Sequence, residues 1–281
     1  MVDDLRRAVV GREISFVWSD LPESKLPKLE GLTGAKIEAV SRRGKSVVFL
    51  LSRSRKNFLF VVHPRMTGHF LLGRWTVSKN SRARPRPLDA SGELAEKVNS
   101  YLHLILAFVD GEMLGLSDVR KFSKLLFGPA EEVDASEYFA KLGPDALSPS
   151  LTPNEFYKRI SRNKPIKAVL LDQTLISGIG NIYSDEILYA AKINPRRSAA
   201  ELTREEDRRI YRAMRSILRS AVKSRGTSFS DFRDLRGKKG GYGERRLVYG
   251  LAATPCGRCR TPIISVKIGG RTSSFCPVCQ E

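Results

Sequence analysis

No part of the 281-residue chain carries an apolar run long enough to cross a membrane, and Met1-Val-Asp-Asp-Leu-Arg-Arg holds no apolar signal segment. Both absences point to a soluble, cytoplasmic protein with no membrane partner. No internal repeat is visible, which excludes solenoid and propeller arrays. Cysteine is missing until residue 256, so no disulfide framework supports the rest of the chain. Acidic residues are few for the number of bases. Lysine and arginine total 49 against 30 aspartates and glutamates, a formal charge of +19. That imbalance exceeds what solubility needs and implies a polyanionic partner, nucleic acid first. The excess gathers toward the end, where 20 basic residues face 8 acidic ones from Pro195 onward. A membrane surface would ask instead for a basic amphipathic helix with aromatic anchors.

The four cysteines that are present form two pairs, Cys256-Gly-Arg-Cys259 and Cys276-Pro-Val-Cys279. Zinc takes four thiolates tetrahedrally, and each pair supplies two from one tight turn, so the segment between must fold back as a hairpin. Val266-Lys-Ile-Gly-Gly-Arg-Thr fits that hairpin, with Gly269-Gly270 at its turn. Two disulfides would need an oxidising compartment, and redox CxxC motifs come singly beside a βαβ pattern that is not visible here. The expected cofactor is one structural Zn2+.

Up to about Gly128 the pattern is strand-like. Ser46 to Leu51, Phe58 to Val62, Tyr101 to Val109 and Lys124 to Phe127 are short β-branched or aromatic runs bounded by turn residues, as in a β-sandwich or barrel. Asp3 to Val10 reads as a helical stub, and Ser78 to Glu96 as a polar, proline-containing loop. After Leu142-Gly-Pro-Asp the pattern turns helical, with helices expected over Thr152 to Ile160, Ile166 to Leu171, Ile182 to Lys192 and Thr203 to Arg225. Thr203-Arg-Glu-Glu carries a capping box. A basic, glycine-rich linker, Ser228 to Tyr249, leads into the cysteines.

Leu170-Leu-Asp-Gln-Thr-Leu-Ile-Ser-Gly-Ile-Gly-Asn-Ile-Tyr-Ser-Asp-Glu, followed by Ile193-Asn-Pro, resembles the helix-two-turn-helix element of the formamidopyrimidine-DNA glycosylase and endonuclease VIII family. The tail is similar to that family's zinc finger through Tyr249-Gly, Thr261-Pro-Ile, Arg271, Phe275-Cys276 and Cys279-Gln280. Arg42-Arg-Gly-Lys45, His63 with Met66-Thr-Gly68, Asp118-Val-Arg-Lys-Phe122 and Leu142-Gly-Pro144 match as well, and together they favour the formamidopyrimidine branch. The resemblance implies an α+β multidomain fold: an N-terminal β-sandwich over residues 1–128 that is short at its start, a helix-two-turn-helix domain over 142–235, and a zinc-finger β-hairpin over 245–281. It also implies a bacterial-type, nucleoid-associated repair protein. Such a protein binds damaged double-stranded DNA as a monomer, excises an oxidised base, chiefly a purine, and nicks the abasic strand by β/δ-elimination.

Extruding a nucleotide leaves a hole that must be filled against a few kcal/mol of lost stacking. The resemblance places Met66, Arg120 and Phe122 in that role. Methionine fits an irregular gap, phenylalanine slips between bases, and arginine hydrogen-bonds the orphaned partner base. Phosphate contacts are expected from Asn181 at a helix start and from Arg271, with Arg162, Lys164 and Lys167 on the same side. Lys45 is the expected proton donor near the scissile phosphate, and Arg271 serves the second elimination. A non-enzymatic nucleic-acid-binding zinc protein would share the charge and the cysteines but leave Met66, Arg120 and Phe122 unexplained. Arg65, Lys121 and Ser123 depart from the commonest family residues.

The larger departure is at the start. The family's mature chains begin Pro-Glu, and the proline amine attacks the sugar. An N-terminal amine, with a pKa of about 7.7–8.0, is partly unprotonated at neutral pH where a lysine is not. This sequence begins Met-Val-Asp-Asp and reaches Val10-Gly11 too early for that segment. Three readings stay open: an internal start chosen for the reading frame, a paralogue that binds damage without cutting, or an exposed Val2 amine with Asp3 in the glutamate's place. The chain as given is expected to bind DNA with little or no glycosylase activity.

Overall fold

The computed structural model describes residues 1–25, 29–77, 84–89, 92–227 and 232–281. Parts of the expected loops at 78–96 and 228–249 lie outside them. The chain divides into two compact units, Met1–Ala140 with Arg225–Gly241, and Lys141–Ser224 with Tyr242–Glu281.

The first unit begins with helix α1 (Val2–Val9), followed by strands β1 (Ile14–Ser19), β2 (Lys36–Arg43), β3 (Ser46–Arg53), β4 (Lys56–His63) and β5 (His69–Gly73). A two-stranded ribbon of β6 (Trp75–Thr76) and β7 (Arg86–Pro87) precedes β8 (Leu102–Phe108), β9 (Met113–Ser117) and β10 (Lys124–Pro129). Short helices α2 (Ala130–Asp134) and α3 (Glu137–Ala140) close it. The strands form two antiparallel four-stranded sheets, β1-β8-β9-β5 and β10-β4-β3-β2. Their inner faces meet in a β-sandwich core, where Phe49 of β3 stacks on Phe60 of β4 at 5.8 Å and meets Phe70 of the other sheet edge-on at 5.6 Å.

The four apolar runs read from the sequence are β3, β4, β8 and β10. Strand β2 escapes a search for continuous apolar runs: it reads Lys-Ile-Glu-Ala-Val-Ser-Arg-Arg and buries only Ile37 and Val40, three residues apart across a register shift against β3. Strand β8 is buried along its whole length. Leu104, Leu106 and Phe108 enter the sandwich, while Leu102 and Ile105 sit under Trp18, Leu71 and Trp75 on the outer face. Helix α1 lays Leu5 and Val9 on the same core.

The return segment Arg225–Gly241 packs with this sandwich, so residue 235, the expected end of the helical domain, falls inside it. Leu235 joins the core and its carbonyl accepts from Leu72 N–H at 2.8 Å. Gly237 (φ +83°) lies where a Cβ would stand 2.8 Å from the Asn99 amide nitrogen, so only glycine fits without displacement.

The second unit carries α4 (Pro153–Ile160), α5 (Ile166–Leu171), α6 (Asn181–Ala191), α7 (Arg204–Lys223) and the hairpin β11 (Ile264–Ile268) and β12 (Arg271–Phe275). Its four α-helices match the expected ones to within two residues at each end. Thr152 caps α4, and Thr203 with Glu206 forms the capping box of α7. Ile268 pairs with Arg271 across Gly269 (φ +55°) and Gly270 (φ +75°), the two left-handed positions of a tight hairpin turn.

Helices and hairpin are tied by buried ions. Lys167 of α5, 0% exposed, donates to Asp185 Oδ1 of α6 at 2.6 Å and to the Asn181 carbonyl at 3.0 Å. Asp185 also accepts from Ser273 Oγ at 2.6 Å and Ser274 N–H at 2.9 Å, both on β12. The next residue, Glu186, accepts the N–H groups of Leu247, Val248 and Tyr249 at 2.8–3.0 Å and so clasps the start of the zinc module. Burial pulls the Lys167 ammonium below the usual lysine range and pushes the Asp185 carboxyl up, and their contact opposes both shifts. Lys167 is therefore not a phosphate ligand, contrary to the expectation from sequence: its ammonium is enclosed inside the unit and engaged by Asp185 and the Asn181 carbonyl.

Removing one partner of a buried pair strands the other charge, a loss of about 3–5 kcal/mol. Lys167→Met is expected to destabilise the second unit by about that much, read from denaturant unfolding of the zinc-loaded protein. A loss below about 1 kcal/mol would mean that the pair is not what holds α5, α6 and β12 together.

Candidate nucleic-acid interface and zinc centre

In the first unit the site is built around Asp118, 1% exposed, at the end of β9. Thr67 Oγ1 and Ser123 Oγ donate to its carboxylate, as do the N–H of Ser123 at 2.7 Å and of Arg120 at 3.3 Å. Burial alone would raise this carboxyl, but the donors outweigh it and hold Asp118 below the usual range. The carboxylate thereby locks the 118–123 loop to the Met66-Thr67-Gly68 turn. Gly68 is required there, because a Cβ would stand 2.4 Å from Ser123 Oγ and 2.5 Å from the Pro64 carbonyl.

On this base stand the three expected wedge residues, brought together as the sequence reading required. The Arg120 guanidinium lies 4.5 Å from the centre of the Phe122 ring, and its Nη1 is 3.6 Å from Met66 Sδ. Met66 is 64% exposed and Phe122 49%, which excludes core packing for both. The residues that depart from the family pattern acquire local roles. Ser123 supplies two of the four donors to Asp118, Lys121 (φ +53°) pairs with Asp20 at 3.0 Å, and Arg65 (φ +56°) donates its N–H to His63 Nδ1 at 3.0 Å.

Lys45 follows Gly44 (φ +56°) in the two-residue turn between β2 and β3. It lies close enough to His63 to act on its titration. Burial first, then the charges of Arg65, Lys45 and Lys124, push His63 down to about 4. The imidazole is thus neutral at pH 7, and because Nδ1 accepts from the Arg65 N–H, Nε2 carries the proton. His63 was quoted in a motif but not singled out by sequence. The signal that could have found it was its position at the end of β4, opposite Lys124. The Met1 amine lies 3.1 Å from Asp4 Oδ2, and the Met1 and Val2 side chains pack against the sandwich core.

In the second unit Asn181 opens α6, so the N–H groups of its first turn are free of helical partners. Asn181 Nδ2 gives one of its two hydrogens to the Thr272 carbonyl at 3.0 Å, and its Oδ1 is buried with no partner among the described residues. Arg271 stands exposed at the start of β12, one residue before Thr272, so that contact places Asn181 and Arg271 side by side. Arg162 instead bends over the end of α4 to the Lys158 and Ser161 carbonyls, and Lys164 is exposed beside it.

Beyond the hairpin, the four cysteine sulfurs all lie within 4.8 Å of one another, with Cys259 and Cys276 Sγ 3.4 Å apart and Cys256 and Cys279 Sγ 3.9 Å apart. A tetrahedron with Zn–S near 2.3 Å spaces its sulfurs by about 3.8 Å, so these four fit one structural zinc. The metal would fix the hairpin that presents Arg271.

The depressed His63 value has a signed consequence. Between its ordinary value of 6.5 and about 4 the unfolded chain binds a proton that the folded chain does not, so stability falls as pH drops through that window. Wild type should lose stability relative to His63→Gln over this range. Nitrogen NMR at pH 7 should show a neutral ring protonated on Nε2, and a charged ring would refute the arrangement.

Three family models match consecutive parts of the chain: the formamidopyrimidine-DNA glycosylase N-terminal domain over 1–125, its H2TH domain over 142–233, and a zinc finger found in FPG and IleRS over 254–281. A formamidopyrimidine-DNA glycosylase of Desulfitobacterium hafniense is 34% identical over 95% of this chain and 91% of its own length. That of Heliobacterium modesticaldum is 33% identical over 100% and 98%. The structure of the Lactococcus lactis Fpg with abasic site containing DNA superposes with a TM-score of 0.83 at 31% identity, covering 100% of this chain and 96% of that one. MutM (Fpg) from Thermus thermophilus gives 0.82 at 31% over 99% and 95%. The chain, with its sandwich, helix-two-turn-helix and four-cysteine finger, belongs to the formamidopyrimidine-DNA glycosylase family.

Proposed function

We propose that this chain is a base-excision repair DNA glycosylase and abasic-site lyase that binds damaged duplex DNA as a monomer, excises an oxidised purine and nicks the strand by β/δ-elimination. The observation that carries this reading is the exposed Met66, Arg120 and Phe122 cluster on its Asp118 base. Large apolar side chains held in water by a rigid support have a reason to be there if they enter a base stack. Phe122 and Met66 fill the space left by the ejected nucleotide, and Arg120 serves the orphaned base. The cluster is pre-assembled, so less ordering cost falls on the binding step.

Phosphate contacts in this reading come from Lys45 and the His63 Nε2–H in the first unit, and in the second from Arg271, the second amide hydrogen of Asn181 and the N–H groups that open α6. Arg162 and Lys164 add charge near the same helices. In this reading Lys45 gives up a proton to a departing phosphate oxygen and Arg271 serves the second elimination; the closeness of Lys45 to the neutral His63 ring supports the first role. Zinc is structural and takes part in no step. The excision itself needs a free amine to form an imine with the sugar. Here the Met1 amine is paired with Asp4 Oδ2 at 3.1 Å, a contact that any attack by this amine would have to break.

A mobility-shift titration at fixed salt tests the binding reading. Preference for an abasic duplex over an intact one is expected, with Phe122→Ala weakening that preference about tenfold or more, or roughly 1.4 kcal/mol. Equal affinity for both duplexes would remove the wedge. Borohydride trapping on the same abasic duplex tests the chemistry: an adduct is expected once the chain is preceded by Met-Pro-Glu-Leu-Pro-Glu. A covalent adduct with Met1 or Val2 as the terminal residue would show that the Asp4 pairing does not restrain the amine.

A further inference from the structure

Helix α6 runs into the zinc centre at its last turn. Tyr189, 2% exposed, lies there in a small cluster with Val248, Cys256, Ile263 and Cys276. Its hydroxyl is 3.3 Å from Cys256 Sγ. Among the described residues that sulfur is its hydrogen-bond partner, and a buried tyrosine hydroxyl needs one. Arg258, inside the first CxxC turn, fixes the ring from the other side. Its guanidinium carbon stands 4.0 Å from the ring centre, its Nη1 donates to the Tyr189 carbonyl at 2.8 Å, and its backbone N–H points to Cys256 Sγ at 3.4 Å. Cys256 therefore faces backbone donors from its own turn and a side-chain donor from a helix 67 positions earlier in the chain.

We propose that Tyr189 is a positioning residue for the metal, its phenol donating to the Cys256 thiolate and thereby setting how tightly the finger holds zinc. The inference rests on the reading of the four cysteines as a zinc site. A metal-bound thiolate keeps lone pairs and negative charge. A hydroxyl donor fixes the direction of one lone pair and lowers the charge available to a competing proton or electrophile, and outer partners of this kind are worth 10–100-fold in metal affinity. The arrangement has a second consequence. Because the donor comes from α6, the helix that opens with Asn181 at one end closes on the metal at the other, so zinc binding reports on the seating of that helix.

Tyr189→Phe removes only the oxygen and keeps the ring, the cluster and the Arg258 stack. Zinc content of the full-length protein is measured first, then zinc affinity by competition with a chromogenic chelator, and the sulfur-to-metal charge-transfer band after cobalt substitution. One zinc per chain is expected in both proteins, with affinity roughly tenfold lower in the variant and the band moved to longer wavelength as the thiolate regains electron density. A purely packing role would leave the band unmoved. Should the phenylalanine variant misfold, replacing the tyrosines with 3-fluorotyrosine, a stronger donor, should tighten zinc and move the band the opposite way. Unchanged affinity and band with one zinc bound would overturn the role of Tyr189 alone. Absence of zinc from the wild-type chain would overturn the zinc reading and this proposal with it.

Discussion

The contact between Lys167 and Asp185 fixes the second unit. Neither ion has access to water, so each depends on the other and on the Ser273, Ser274 and Asn181 groups that complete their hydrogen bonds. Those groups sit on α5, α6 and β12, so satisfying two charges determines where the hairpin lies against the helix start. Asn181 and Arg271 inherit their positions from it. Unpaired charge in a low-dielectric interior costs more than an apolar misfit, so this tie admits little variation in register.

The same device recurs. Glu186 gathers three consecutive N–H groups at the entry to the zinc module, Asp118 gathers four donors beneath the Met66, Arg120 and Phe122 cluster, and Glu206 takes the capping-box N–H together with Arg197. In a chain with a charge of +19, these few acidic residues are turned inward as organisers of backbone. Most of the basic residues face outward, Lys167 and Arg233 being buried exceptions. Scarce carboxylates with saturated hydrogen bonds thus serve both units: they stiffen the loops and do not cancel the positive field.

Zinc completes the scheme where hydrogen bonds are too few. The finger contributes a two-stranded ribbon and a handful of buried side chains, less than an independent core requires. Four thiolates close it, and α6 supports it through Glu186 and Tyr189. The metal's contribution is geometric: it holds the hairpin that carries Arg271.

Much of this was legible in the chain itself. The CxxC spacing, the Gly269-Gly270 turn and the four helices with their Thr152 and Thr203 caps follow from local rules or short motifs, because each depends on neighbours in sequence, whereas the trio of Met66, Arg120 and Phe122 was legible only through the family resemblance. Strand β2 did not announce itself, since a half-buried strand hides its apolar face among polar residues. The return of residues 225–241 to the sandwich, the enclosure of Lys167, the neutrality of His63 and the roles of Ser123, Arg65 and Lys121 were decided only by tertiary structure. Each rests on a partner far away in sequence or on a burial that composition does not record. A lysine reads the same in a sequence whether it meets phosphate or a buried aspartate. Desolvation decides which, and desolvation exists only once the chain has folded.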